Sequence, residues 1–367
     1  KIRAAPPFPF PGIQRSWWVC LLLLLLLLLH HQRHLWLCVG MKVLLTGGAG
    51  FVGGHTCEVL LKRGDEVVLL DNVNDYYDQR LKEHTLDILR SVPTGKLTEY
   101  LIDLRDLDAV TKVFEEHKFD VICHLAAQAG VRHSIQHAIS NVQTNILATV
   151  HLLELSRKHN VPNFVMASSS SVYGKSSTPP FSEDQLCNKP ISPYAATKRS
   201  CELFAHTYHH LYNQNVTCLR FFTVYGPRGR PDMAAYKFID RIYHDRAIDK
   251  YGDGSAIREF TYISDIVDGV IAAIDNPRPY EIVNLGGGAT HTLNELISTI
   301  EKHCGKKALI NQMPDQPGDV PLTSADQKRA QAILNFHPKV SLDDGIRQTV
   351  HWYLMYQKLN KGLTNGV

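Results

Sequence analysis

Three side chains have the types and order needed to oxidise an alcohol and then reduce it again. In Tyr194-Ala195-Ala196-Thr197-Lys198, the tyrosine and lysine are four residues apart, on one face of a helix. Pro193 precedes them and suits a first helical position. Upstream, Ser168-Ser169-Ser170-Ser171-Val172-Tyr173-Gly174 follows an apolar run and supplies hydroxyls at a strand end. Oxidising a secondary alcohol requires a base to take the hydroxyl proton while hydride leaves the same carbon. A phenol, with an ordinary pKa near 10, serves as that base near neutrality only beside positive charge. One cation about 4–5 Å away, at an effective dielectric near 20, contributes roughly 3–4 kcal/mol. Lys198 is placed to be that cation, and Ser169 to hold the alcohol oxygen. Tyr-x-x-x-Lys occurs by chance on many helices, so its meaning depends on whether a hydride carrier can bind nearby.

Such a site is written at the start of the domain. Gly47-Gly48-Ala49-Gly50-Phe51-Val52-Gly53 separates an apolar run, Val43–Thr46, from a helical pattern reaching about Lys62. Gly47, Gly50 and Gly53 are spaced so that a pyrophosphate can approach a backbone without Cβ atoms and rest on a helix N-terminus. A second apolar run, Glu66–Leu70, ends at Asp71. That carboxylate suits the adenosine ribose hydroxyls and would repel a 2′-phosphate, which selects NAD over NADP. Asp103 and Leu104, in Ile102-Asp103-Leu104-Arg105-Asp106, are expected where a third strand ends beside an adenine ring. The small residues Ala126 and Ala127, in His124-Leu125-Ala126-Ala127-Gln128, are expected to let the cofactor pass.

These segments need a scaffold of alternating strands and helices. Strand-like runs recur near Tyr100–Ile102, Asp120–His124, Asn163–Ala167 and Val216–Phe222. A helical pattern carries Val142, Ile146, Val150 and Leu153. The alternation predicts an α/β fold, a Rossmann doubly wound parallel sheet, with a smaller C-terminal substrate-binding lobe. Three segments are expected: residues 1–40 outside the fold, 41–225 as the NAD-binding domain, and 226–367 mainly as the nucleotide-sugar lobe. In the last third, Thr292-Leu293-Asn294-Glu295 reads as a capping box, and Ser341 as the cap of a long final helix carrying Trp352.

The glycine loop, Asp71-Asn72, the serine cluster with Val172-Tyr173-Gly174, and Tyr194-x-x-x-Lys198 together resemble the extended short-chain dehydrogenases that act on nucleotide sugars, the NAD-dependent epimerase/dehydratase family. The resemblance runs from Met41 to about Tyr356 and implies Ser169, Tyr194 and Lys198 as the catalytic set. It also implies cofactor contacts from Gly47, Gly50, Phe51, Val52, Gly53, Asp71, Asn72, Asp103, Leu104, Leu125, Ala126, Ala127, Asn145, Tyr194, Lys198, Phe221 and Val224. The related dehydratases carry an Asp-Glu pair within the serine cluster, and UDP-xylose synthases a Glu, where this chain has Ser170 and Ser171. Epimerisation needs no such acid. Thr223 replaces the Asn of glucose/galactose epimerases. Phe221–Met233 and Asp71–Asp78 are similar to UDP-glucuronate 4-epimerases. The resemblance therefore implies 4-epimerisation of UDP-glucuronate to UDP-galacturonate through a 4-keto sugar. UDP-glucose 4-epimerase or a related epimerase is the alternative, and a non-catalytic NAD-binding sensor the reading from another class. Substrate contacts are implied for Ser169, Ser170, Thr223, Arg230, Arg258, Asp319 and Arg132, with Arg230 first for the glucuronate carboxylate. Helices around Val142–Leu153 and Tyr194–Tyr212 resemble those that pair in family homodimers.

Bulk properties agree with an enzyme of this kind. The 367 residues are 44% hydrophobic and 20% charged, with a formal net charge of +3, and no Lys/Arg run suggests nucleic acid as a partner. The 8 cysteines have no C-x-x-C pairing, which argues against a zinc site or disulfide scaffold and for a reducing compartment. Residues 1–40 differ from the rest. The apolar stretch Trp17–Leu29 is shorter than the roughly 20 residues of a spanning helix, so it reads as a leader fragment or read-through sequence. A cytoplasmic protein is expected, with a secretory or Golgi-membrane location as the alternative if that segment anchors it. His30, His31 and His34 read as a solvated flank, and His206, His209 and His210 as helix-surface residues. No metal is expected.

Overall fold

A computed structural model describes residues 40–175, 177–314 and 322–364. The leucine run, His30, His31, His34 and Asp319 lie outside the described residues. The chain runs β1 (Lys42–Thr46), α1 (Phe51–Arg63), β2 (Glu66–Leu70), α2 (Gln79–Arg90), β3 (Lys96–Tyr100), α3 (Leu107–Glu116) and β4 (Val121–His124). It continues through α4 (Val131–Gln136), α5 (Ala138–Asn141), a π-helical turn (Val142–Leu147), α6 (Ala148–Lys158), β5 (Asn163–Ser169), α7 (Pro193–Tyr212), β6 (Val216–Phe221) and β7 (Thr223–Tyr225). Then follow α8 (Ala234–Tyr243), β8 (Ile248–Tyr251), β9 (Ile257–Tyr262), α9 (Ile263–Asp275), β10 (Tyr280–Leu285), β11 (Thr290–Thr292), α10 (Leu293–Cys304), β12 (Ile310–Met313), α11 (Lys328–Leu334) and α12 (Leu342–Thr364).

The main sheet has seven strands in the order β10-β6-β5-β4-β1-β2-β3, and all its neighbours are parallel. Both faces must be covered, which is why β1 reads as an unbroken apolar run. The two-residue side-chain period divides that run. Val43 and Leu45 face a core shared with Leu60 of α1 and Val270 of α9. Leu44 faces another, shared with Val113 of α3 and Leu152 of α6. The chain turns outward in opposite directions from β1 and β4, which opens a crevice at their carboxyl ends. β10 and α9 come from beyond position 225, yet they complete this sheet and one of its flanks. The remaining elements form a third core, with Phe238 of α8, Leu296 of α10 and Ile346 of α12.

One local expectation is corrected. β3 ends at Tyr100, short of Ile102. Tyr100 pairs with Leu70, the last residue of β2, and its carbonyl accepts from Asp71; beyond it no partner strand is described. The helical pattern through Val142 is interrupted by the π turn, in which Val142 is exposed and Asn145 buried. The expected caps are present. Thr292 and Glu295 cap each other's backbone groups, and the Ser341 hydroxyl accepts from Asp344 N–H at 3.2 Å. Among the described residues, six cysteines are unpaired, no His/Cys/Asp/Glu group could hold a metal, and no helix is long and apolar enough to cross a membrane.

The sheet's centre holds one buried charge network. Glu202 of α7 is 0% exposed and Arg220 of β6 is 1%. Arg220 Nε and Nη2 donate to the two Glu202 oxygens at 2.8 and 2.9 Å. Arg199 adds a bond at 2.8 Å, and the Ser168 hydroxyl of β5 one at 2.6 Å. Burial opposes ionisation of Glu202, but Arg220 outweighs it and holds the carboxyl below its ordinary range. Removing one partner strands the other charge in the core, which typically costs about 3–5 kcal/mol. Glu202→Ala should therefore lower unfolding stability by that amount in denaturant titration. Glu202→Met with Arg220→Met should cost less than Glu202→Ala alone, because no orphan charge remains.

Candidate active site

The glycine loop is shaped by contacts that leave no room for side chains. Gly47 has a φ of +75°, and a Cβ there would lie 2.7 Å from the Ala126 nitrogen. The turn after β1 thus presses against the end of β4. A Cβ on Gly53 would meet the Gly47 carbonyl oxygen at 2.1 Å. Gly50 is the N-cap of α1 and no side chain caps that end, so the first helical N–H groups are offered to an anion. Asp71 stands beside the turn, accepting from Ala49 N–H at 3.0 Å and Val73 N–H at 2.8 Å. A Cβ-free cradle, an uncapped helix start and a fixed carboxylate at the end of β2 fit a dinucleotide. Asp103 is engaged by Arg105 at 2.9 and 2.8 Å and by Asn72 at 2.9 Å. Arg105 first, with Asn72 assisting, holds its carboxyl down at about 2.

A buried hydroxyl–imidazole relay sets the end of β4. Ala126 N–H donates to the Thr46 hydroxyl at 3.2 Å, which pairs with His124 Nδ1 at 2.8 Å. His124 Nε2 meets the Thr149 hydroxyl at 3.0 Å, and Thr149 donates to the Asn145 carbonyl at 2.6 Å. Thr149 has spent its proton, so His124 must donate from Nε2 and accept at Nδ1. Burial lowers its pKa to about 3, and the ring stays neutral. The Asn145 amide lies inside the fold. It is 1% exposed; its oxygen accepts from Gln128 N–H at 2.8 Å, and its nitrogen donates to the Gln128 carbonyl at 3.2 Å and to Thr197 Oγ1 at 3.0 Å. Thr197 in turn donates to the Tyr194 carbonyl at 2.8 Å. Asn145 therefore ties the loop after β4 to the first turn of α7.

The Ser/Tyr/Lys residues converge at the end of β5. Ser192 caps α7 by accepting from Ala195 N–H at 3.1 Å, Pro193 opens the helix, and Tyr194 is half-buried. Lys198 is 3% exposed and donates from Nζ to the Ala167 carbonyl at 2.8 Å. The bond holds the ammonium against β5 two residues before Ser169. Ser169 Oγ accepts from Ser171 N–H at 3.2 Å and Ser171 Oγ at 2.9 Å, which leaves its own proton to donate onward. Ser170 and Ser171 begin a short 3₁₀ turn, Ser170–Tyr173.

Beside these strand ends lies a small, narrow cleft. Its walls bring together the predicted Phe51, Thr223, Val224 and Arg230, with Gly229 and Met233. Arg230 donates from Nε and Nη2 to Asp232 at 3.0 and 2.5 Å. Burial works against its charge, and Asp232 outweighs burial and raises its pKa. Phe221 ends β6, and Leu125 and Ala127 lie just past β4, all half-buried. Arg258, on β9, donates to the Ile257 carbonyl at 2.9 Å. Arg132, on α4, sits 5.4 Å from the Tyr251 ring centre. Neither lines the cleft. Glu202, Arg220, Tyr76 and Asp232 escaped the sequence reading. A Glu one turn past Lys198 and an Arg inside the apolar run Val216–Phe222 were the available signals for the first two.

Comparison with known proteins agrees with this geometry. The chain is 44% identical over 310 residues to a UDP-glucuronate 4-epimerase of Thermodesulfobacterium geofontis, covering 84% of this chain and 95% of that one. It is 42% identical over 344 residues to UDP-glucuronate 4-epimerase 1 of Arabidopsis thaliana, covering 88% and 78%. The fold superposes on the crystal structure of UDP-glucuronic acid 4-epimerase from Bacillus cereus in complex with UDP-glucuronic acid and NAD. That match has a TM-score of 0.80 and 36% identity, and covers 86% of this chain and all of that one. Residues 44–349 match the family described as GDP-mannose 4,6 dehydratase, and the chain belongs to that family.

Proposed function

We propose that this protein is an NAD-dependent UDP-glucuronate 4-epimerase. The observation that carries the reading is Arg230, in the same cleft wall as Thr223. Bound NAD supplies a hydride acceptor and donor for C4 of the sugar. Gly47, Gly50 and Gly53 admit its pyrophosphate, and Asp71 holds a ribose. Tyr194 takes the proton from the C4 hydroxyl, Lys198 supplies the adjacent positive charge, and Ser169 donates to the C4 oxygen. The 4-keto sugar then presents its other face, and Tyr194 returns the proton to the inverted alcohol. Arg230 holds the C6 carboxylate. The ketone lies β to that carboxylate, so loose binding would favour loss of carbon dioxide. Residues from 226 onward supply most of the sugar-nucleotide lobe. The unpaired cysteines support a reducing, cytoplasmic setting.

The chain is also proposed to pair with a second copy. α4, α5, the π turn and α7 expose Ile135, Ile139, Val142, Leu203 and Leu211, and a run of apolar side chains on packed helices is typical of a subunit interface. Light scattering at micromolar concentration should report a dimer, and Ile139→Lys with Leu203→Lys should shift it to monomer. A wild-type monomer would remove the interface.

Two substitutions test the reaction. Tyr194→Phe should abolish turnover while cofactor stays bound, since only the hydroxyl is lost. Arg230→Ala should lower kcat/KM for UDP-glucuronate by about ten- to a hundredfold, the worth of a charge-assisted hydrogen bond, and leave UDP-glucose binding nearly unchanged. Turnover by Tyr194→Phe within tenfold of wild type would remove the assigned base. Preference of the wild-type enzyme for UDP-glucose would replace the substrate assignment.

A further inference from the structure

The guanidinium proposed to meet the sugar carboxylate already holds a carboxylate. Asp232 takes the side edge of Arg230, through Nε and Nη2. A guanidinium has a second, end edge of the same forked geometry. Asp232 is also an acceptor for the Tyr76 hydroxyl at 3.3 Å. Arg230 lies 5.7 Å from the centre of the Tyr76 ring. Tyr76 is set by the loop after β4: its ring meets His133 edge-on at 4.8 Å, and a Cβ on Gly130 would come within 2.5 Å of its oxygen. Gly130 has a φ of +111°, so both space and backbone favour glycine there. One aromatic ring thus joins the loops after β2, β4 and β7 above the strand ends.

We infer that Asp232 is a positioning residue for substrate choice: with Tyr76 as its brace, it fixes the side edge of Arg230 so that the end edge receives the C6 carboxylate. The inference rests on the reading that Arg230 binds that carboxylate. A long, flexible arginine loses less freedom on binding when its fork is already oriented. Asp232 need not cancel the charge it orients. Its side chain is 39% exposed against 20% for Arg230, so water screens the outer carboxylate more than the inner guanidinium. The Tyr76 donor offsets part of the negative charge that the incoming acid would meet.

The test compares UDP-glucuronate kinetics with UDP-glucose binding in Asp232→Asn, Asp232→Glu, Tyr76→Phe, Arg230→Ala and the Asp232→Asn/Arg230→Ala double variant, each checked for bound cofactor. Asp232→Asn should raise KM for UDP-glucuronate by about three- to tenfold, less than loss of Arg230, because a weakened fork remains. Its kcat should change little, and UDP-glucose binding not at all. Tyr76→Phe should move KM in the same direction by less, and Asp232→Glu should recover part of the loss. In the Arg230→Ala background, Asp232→Asn should add nothing. A lower or unchanged KM in Asp232→Asn, an equal loss on UDP-glucose, or an undiminished effect without Arg230 would overturn the inference. If Arg230→Ala itself harms both ligands equally, the reading of Arg230 fails instead, whatever Asp232→Asn does.

Discussion

The site depends on one buried ion pair. Glu202 lies one turn beyond Lys198 and two beyond Tyr194 on the same side of α7. Its carboxylate is bound by Arg220 of β6, Ser168 of β5 and Arg199. Separating charges this deeply buried is costly, and two Arg220 nitrogens grip the two Glu202 oxygens, so the pair disfavours rotation or sliding of the helix. Ser168 adjoins Ser169, so the group that fixes the helix also fixes the strand end bearing the substrate hydroxyl. Arg220 faces the Tyr173 ring with its carbon 4.8 Å from the centre, and the Tyr173 hydroxyl reaches Asn284 at 2.7 Å. The network thereby extends to β10.

A second layer of ties acts across the strand ends. Asn145 joins the loop after β4 to the first turn of α7, and the His124 relay joins β4 to β1 and α6. Through the Asn145 side chain, the Gln128 N–H and carbonyl, which lie beyond the end of β4, find partners, as buried backbone groups must. The turn after β1 and the first turn of α7 are thereby coupled through neutral hydrogen bonds, with His124 kept neutral by burial.

Much of this was legible before any coordinates. Gly47, Gly53 and Asp71 are local features: a turn without Cβ atoms and an acid at a strand end announce themselves by spacing. Tyr194 and Lys198 share a helix, and the helical period puts them together. Glu202–Arg220 and Asn145–Gln128 were not legible, because their partners are far apart in sequence and the pairing follows from strand order. Tyr76 and Asp232 lay inside stretches already singled out, but their meeting needs three loops to converge. The misplaced end of β3 is a register effect, since Ile102 has strand-like character and no neighbour to pair with. The helix through Val142 was legible by its period, but the π turn within it was not, because it adds no residue type of its own to the pattern.

The family is described by a dehydratase, and the local chemistry explains why this member does something else. Elimination from a keto sugar needs a group to take the proton at C5 and another to help the leaving group depart. Here the turn after β5 offers Ser170 and Ser171, and Ser171 gives both its N–H and its O–H to Ser169. A serine hydroxyl committed in that way is a poor general base, and no carboxylate stands within the turn. The Glu202 carboxylate is close in sequence to α7's catalytic face, but it is saturated by Arg220, Arg199 and Ser168 and held ionised below the sheet surface. The turn after β5 therefore lacks the acid–base pair that elimination needs, and the proposed exchange of one proton and one hydride, which needs no such pair, fits what the turn offers.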